Sequence, residues 1–245
     1  MLPYIAEFVG TALLVLLGNG VCANVNLTKS GMKGAGPVQI TIAWGLAVMI
    51  PAYIFGEASG AHFNPALTIA LAADGSVPWG IVPGYIIAQF AGGFLGASIV
   101  ILLFKGQFDQ TEDPDVIRGV FCTSPSVPHK GLNILSETVG TFILVFAIKG
   151  IADVTGMPPG MNNIYVFGII VSVGMSLGGL TGYAINPARD IGPRMAHCLL
   201  PIKNKGSSHW DYAVVPLVGP CIGGLLAVLV YALIPWNFQP PPPPI

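Results

Sequence analysis

The tripeptide Asn-Pro-Ala occurs twice in a chain poor in charge, as Asn64-Pro65-Ala66 and as Asn186-Pro187-Ala188, each time opening a short apolar stretch. Proline suits the first turn of a helix because its missing N–H would be unpaired there, and asparagine is a strong N-cap, so each tripeptide reads as a helix start. The stretches run from Pro65 to Ala73 and from Pro187 to about Leu200. At 1.5 Å per residue, about ten residues give roughly 15 Å of helix, half the thickness of a bilayer's hydrocarbon core. Two such pieces meeting nose to nose would complete one crossing. Their facing N-termini would concentrate a partial positive charge of about +0.5 each, and Asn64 and Asn186 would offer N–H donors beside it. Cations, hydronium included, are repelled at such a point. Non-helical backbone at membrane depth is tolerated only where it lines a cavity or is buried in protein. Gly60, Ala61, His62 and Phe63 before the first tripeptide, and Gly182, Tyr183, Ala184 and Ile185 before the second, are therefore expected to turn their carbonyls onto a wet passage. Donors at the centre and acceptors along the approaches suit neutral hydroxyl-bearing molecules such as water or a small polyol.

The rest of the sequence must hold these pieces in a membrane. Apolar residues make up 53% of the 245 and charged residues 9%, with a mean hydropathy of +0.73, whereas a soluble domain carries about 25% charged residues. The formal charge of −1, without a basic stripe, gives nucleic acid no electrostatic footing. Five long stretches lack Asp, Glu, Lys and Arg: Phe8 to Thr28, Gly34 to Gly56, Gly75 to Phe104, Val154 to Ala188, and Tyr212 to the C-terminus. A sixth span runs from Leu132 to Ile148 if Glu137 is admitted. Six spans put both termini on one side, and Met1 lies too close to the first for a cleaved signal peptide. The terminal proline run reads as a polyproline II stub.

Internal repetition organises these spans. AEFVGTALLVLLGNG from residue 6 aligns with SETVGTFILVFAIKG from residue 136, placing Glu7 on Glu137 at an offset of 130. SGAHFNPA from residue 59 aligns with TGYAINPA from residue 181, and QFAGG from residue 89 with PCIGG from residue 220. Each half holds an odd number of spans, so the second lies upside down relative to the first. The expected architecture is an all-α membrane protein, a single channel domain over 1–245. One repeat spans about 1–105, a connecting loop about 106–130, a second repeat about 131–236, and a Pro-rich tail 237–245.

Charge inside such a bundle is expensive and usually functional. Arg189 follows a charge-free run and is expected to face the passage. Glu7 and Glu137 are either acceptors for loop N–H groups or proton relays of a coupled transporter. His62 lines the passage or packs, and Glu57 lies near a mouth or in a solvated loop. Asp190 favours the N-terminal dipole of the second short helix. His129, His197 and His209 read as loop residues without ligand spacing. The four cysteines show no zinc spacing and no disulfide framework. No metal, cofactor, nucleophile–base pair or enzymatic step is expected. Small residues in GGFLGA (92 to 97), GMSLGG (174 to 179) and GGLLA (223 to 227) are expected at close helix contacts.

Paired Asn-Pro-Ala motifs, Glu7 and Glu137 in the first span of each half, and NPARD in the second motif resemble the major intrinsic protein family over nearly the whole chain. Asp190 directly after Arg189, with Arg194 four positions on, is similar to the glycerol facilitator, or aquaglyceroporin, branch. The resemblance implies an aquaporin-like bundle of six transmembrane helices and two re-entrant half-helices. It implies a selectivity constriction of Trp44, Gly174, Tyr183 and Arg189, and makes Glu7, Glu137 and Asp190 structural supports. Water-selective members carry His where Gly174 stands. Trp44 and Tyr183 would form an apolar corner for a carbon skeleton while Arg189 donates to hydroxyls; glycerol facilitators more often place Phe at the position of Tyr183. The implied function is passive passage of glycerol, related neutral solutes and water, by a homotetramer in the plasma membrane with both termini cytoplasmic. That orientation runs against the placement of Lys29, Lys33, Arg118, Lys130, Lys203 and Lys205 in outer loops. The alternatives are a water-selective pore, a channel for urea or for protonated acids such as lactic acid, and the proton-coupled transporter.

Overall fold

The computed structural model describes residues 1–236; the Pro-rich tail 237–245 lies outside the described residues. Among those described, six helices are long and apolar enough to cross a membrane. They are α1 (Leu2–Asn26), α2 (Pro37–Ser59), α4 (Val82–Leu103), α7 (Lys130–Ala152), α8 (Met161–Thr181) and α10 (Val214–Leu233). The two short pieces are α3 (Pro65–Ala73) and α9 (Pro187–Leu199), each starting on the proline of its tripeptide. Two small helices, α5 (Lys105–Asp109) and α6 (Pro114–Phe121), occupy what the sequence was expected to leave as a connecting loop.

The charge-free windows misplace several ends, for one physical reason. Helix α1 begins at Leu2 and α7 runs from Lys130 through Glu137 and past Lys149, because a charge within a span is acceptable when protein groups satisfy it. Glu7 and Glu137 are both buried, and each carboxylate accepts from backbone N–H groups and a hydroxyl. Lys149 reaches Asp74 at 2.9 Å, joining α7 to the end of α3. Helix α6 forms because Asp113 caps it, accepting from Asp115 N at 2.8 Å, with Pro114 in its first turn. Its apolar side, Ile117, Val120 and Phe121, is buried, and the helix packs on α1 and α9.

Packing repeats between the halves. Helix α1 lies against α4 and α2, and α7 lies against α10 and α8. The second half-helix, α9, is seated on α4, and the first, α3, on α10, so each half holds the other's short helix. The approaches are close because glycines stand at the crossings. A Cβ on Gly92 of α4 would lie 2.2 Å from the Phe8 carbonyl oxygen of α1, and one on Gly223 of α10 would lie 2.2 Å from that of Thr138 on α7. Backbone cannot yield there as a flexible side chain would. Gly223→Ala should therefore force the helices apart, at about 1–3 kcal/mol for overpacking. Thermal unfolding in detergent should show a lowered midpoint. Gly20→Ala, where a Cβ meets nothing within 4 Å, should leave the midpoint unchanged; equal behaviour of the two variants would refute the packing account.

Candidate functional site

The two extended segments leading to the half-helices share one backbone pattern. Gly60, Ala61 and Phe63 have φ of 82°, 52° and 48°, and Gly182, Tyr183 and Ile185 have φ of 82°, 36° and 42°. His62 and Ala184, between them, do not share this left-handed conformation. Left-handed backbone disfavours any residue with a Cβ by about 1–2 kcal/mol, so something must hold it. Glu7 holds the first segment, accepting from His62 N at 2.9 Å, Phe63 N at 2.7 Å and Ser59 Oγ at 2.6 Å. Glu137 holds the second, accepting from Ala184 N at 2.9 Å, Ile185 N at 2.7 Å and Thr181 Oγ1 at 2.7 Å. Ser59 and Thr181 open the two aligned motifs, so their shared hydroxyl is a signal the sequence carries. Gln89 is a further support: it donates to Glu7 Oε2 at 2.7 Å and to Thr68 Oγ1 at 3.0 Å. It aligns with Pro220, so repetition could not reveal it.

At the centre each asparagine works in two directions. Asn64 Oδ1 accepts from Ala66 N at 2.9 Å, and Asn186 Oδ1 accepts from Ala188 N at 2.9 Å and Arg189 N at 3.2 Å, capping their own half-helices. Asn64 Nδ2 donates to the Ile185 carbonyl and Asn186 Nδ2 to the Phe63 carbonyl, both at 2.8 Å. An amide nitrogen carries two hydrogens, so one on each asparagine is committed to the opposite segment and one is left for the lumen. Pro65 and Pro187 occupy the first helical position after each cap.

A continuous cavity of about 620 Å³ runs past this pair. At the end nearer the termini it is bounded by Tyr53, Glu57, Leu71, Asn162 and Asn163, and at the other by Trp44, Tyr183 and Arg189. Glu57 thus stands at the mouth, in the last turns of α2. Gly60, Ala61, His62, Tyr183, Ala184 and Ile185 line the cavity. Two expected lining residues do not. Phe63 is buried, its ring filling the space left by Gly10, and its carbonyl is taken by Asn186. Gly182 lies outside the cavity, with its carbonyl 3.5 Å from Arg189 Nη2. His62 lines the cavity and also packs: its Nδ1 is 3.0 Å from Thr68 Oγ1 and its ring meets Tyr85 edge-on.

The residues expected at a constriction are seated in notches. Trp44 on α2 fits where Gly18 of α1 has no side chain; a Cβ there would lie 2.2 Å from the indole. Tyr183 lies against Gly174 and Gly178 of α8, where added Cβ atoms would sit 2.9 Å from its Cζ and 2.7 Å from its Cδ1. Gly174 therefore yields its space to the tyrosine and does not itself line the cavity. The Arg189 guanidinium lies over the Trp44 ring, 4.1 Å from its centroid, a cation–π distance. Asp190 points away from the lumen and pairs with Arg194, the two fully buried at 2.8 Å. Of the histidines, His197 was expected in a loop but is buried within α9, its Nδ1 2.8 Å from Ser208 Oγ. Ser208 supplies a polar partner for Nδ1 of this buried histidine near the end of the helix. His129 caps α7, accepting from Leu132 N at 3.2 Å.

Six crossing helices, two half-helices meeting at paired asparagines, and a cavity along them define an integral, multi-pass membrane channel built on an inverted repeat. The sequence matches the family described as Major intrinsic protein over residues 2–231, and the chain belongs to that family. It is 50% identical to the glycerol uptake facilitator protein of Bacillus subtilis, over 94% of this chain and 84% of that one. It is 49% identical to the probable glycerol uptake facilitator protein of Thermotoga maritima, over 94% and 98%. Among solved structures it resembles the aquaglyceroporin from Plasmodium falciparum, with a TM-score of 0.85 and 30% identity over 95% of each chain.

Proposed function

We propose that this chain is a passive channel for glycerol and other small neutral solutes, with water, that turns protons and ions away. The observation that carries the reading is the constriction: an indole and a phenol ring seated in glycine notches beside one buried guanidinium, at the end of a continuous cavity. Rings supply a face for a carbon skeleton, and the guanidinium supplies donors for hydroxyls. The names of the relatives support the same solute class. Cation rejection rests on the facing half-helix N-termini and the lumenal N–H groups of Asn64 and Asn186. No chemical step is involved. Both Glu7 and Glu137 have their oxygens occupied by donors that shape the loops, which argues for support and against a proton relay.

The further reading is a homotetramer with a pore in each subunit, in the plasma membrane, with both termini cytoplasmic. Large apolar side chains exposed on α2 and α7, among them Val38, Ile42, Ile54, Leu132 and Leu135, suit lipid and neighbouring subunits. Stopped-flow light scattering of proteoliposomes tests the solute reading, with glycerol, urea, lactic acid and water compared side by side. Glycerol flux should be fast and indifferent to an uncoupler. Water flux without glycerol flux would replace the reading with a water-selective pore, and collapse on uncoupling would replace it with a coupled transporter.

A further inference from the structure

Asp190 and Arg194 do more than neutralise one another. The carboxylate of Asp190 accepts from Thr123 N at 2.7 Å and from Thr123 Oγ1 at 2.7 Å, besides Arg194 Nε at 2.8 Å and Nη2 at 3.0 Å. Arg194 returns to the same residue, its Nη2 donating to the Thr123 carbonyl at 3.0 Å, while Nη1 donates to the carbonyls of Ser208 at 2.6 Å and His209 at 2.9 Å. Thr123 is thus gripped at three atoms by a fully buried ion pair. It lies in the segment after α6, whose next anchor is Ser126 N donating to the Leu180 carbonyl at 3.0 Å.

The other face of Thr123 is turned toward Gly182 and leaves little room for a side chain there. A Cβ built on Gly182 would lie 3.3 Å from both Cβ and Cγ2 of Thr123. Gly182 has a φ of +82° that a side chain would disfavour, and its carbonyl is the acceptor 3.5 Å from Arg189 Nη2. Arg189 and Asp190 are neighbours in the first turn of α9. The path from Asp190 to Thr123, across to Gly182 and back to Arg189 closes on itself around the outer side of the constriction.

We infer that Thr123 is a positioning residue for selectivity: held by Asp190 through its hydroxyl, it fixes the Gly182 carbonyl and so sets how far the Arg189 guanidinium settles over Trp44. Thr123 does not line the cavity and acts through Gly182 and Arg189. The guanidinium rests between two attractions, the Gly182 oxygen and the Trp44 ring. If Gly182 retreats, the oxygen is lost and the ring wins. Arg189 then covers more of the opening, which obstructs a three-carbon solute before it obstructs water.

The inference rests on the proposed reading of the constriction, and the ratio of glycerol to water permeability, measured in the same vesicles, tests it. Thr123→Val keeps the shape against Gly182 and removes the hydroxyl's bond to Asp190, leaving the backbone N–H bond in place; Thr123→Ala removes the hydroxyl and Cγ2 together without placing a methyl group beside the carboxylate; Thr123→Ser keeps the hydroxyl bond and gives up only Cγ2. The valine and alanine variants should lower the ratio about threefold or more, the scale on which part of a charge-assisted hydrogen bond acts, while the serine variant stays near wild type. A merely structural role would reduce folded protein and lower both fluxes together, leaving the ratio unmoved, and that outcome overturns the inference. So does a serine variant as altered as valine. Absence of glycerol flux in the wild type is a different failure, because it removes the proposed function itself.

Discussion

Glu137→Ala should leave little folded channel to purify. The side chain is 1% exposed and accepts from two backbone N–H groups and one hydroxyl, those of Ala184, Ile185 and Thr181. Each buried donor left without a partner costs about 1–3 kcal/mol, and the left-handed Tyr183 and Ile185 lose the restraint that offsets their own strain. The sum is several kcal/mol, against a total stability of about 5–15 kcal/mol for a folded domain. Glu137→Gln keeps one acceptor oxygen but turns an amide N–H toward groups that are donors, so it should fall between. Gel filtration and thermal unfolding in detergent give the ranking wild type, glutamine, alanine. An alanine variant as stable as wild type would show that the loop is held by something else. A relay role predicts the contrary pattern, with folding intact and proton-driven uptake lost.

Gly174→His should cut glycerol permeation about tenfold or more, equivalent to ~1.4 kcal/mol in the barrier, and water permeation far less. A Cβ at this position would meet Tyr183 Cζ and Thr41 Cγ2, each at 2.9 Å. The tyrosine has nowhere to retreat, since its Cδ1 already fills the notch at Gly178. It must move toward Trp44 and Arg189, into the space a carbon skeleton needs. Proteoliposome swelling with the two permeants reads the effect directly. Parallel losses of both would contradict the proposed constriction.

What the sequence disclosed follows from how local each signal is. A cap, a proline and a bounded apolar run lie within a dozen residues, so both half-helices are legible, α3 to its last residue. The repeat paired Glu7 with Glu137 because the two halves place the same carboxylate under the same loop. Helix ends were harder: a search for uncharged windows discards a buried carboxylate, although the loop amides that accommodate it lie 47 and 48 residues away in the case of Glu137. Helix α6 did carry a local signal, Asp113-Pro114 followed by Asp115. The segment is polar and too short to cross a bilayer, so apolar length does not mark it. The notches at Gly10 and Gly18 were illegible for another reason, since a glycine in a helix does not announce which distant ring will fill its place; Gly178, expected at a helix contact, meets the Tyr183 ring instead.

The crossed amide bonds have a consequence for biosynthesis. Asn64 Nδ2 finds its acceptor 121 residues further along the chain, at Ile185. At ~5–20 residues per second of translation, the first loop waits on the order of ten seconds before its counterpart exists. The crossed pair must therefore mature late, after the nascent second half has been inserted, and an arrested ribosome short of that point would leave the Asn64 hydrogen that Ile185 accepts without its partner in the bilayer.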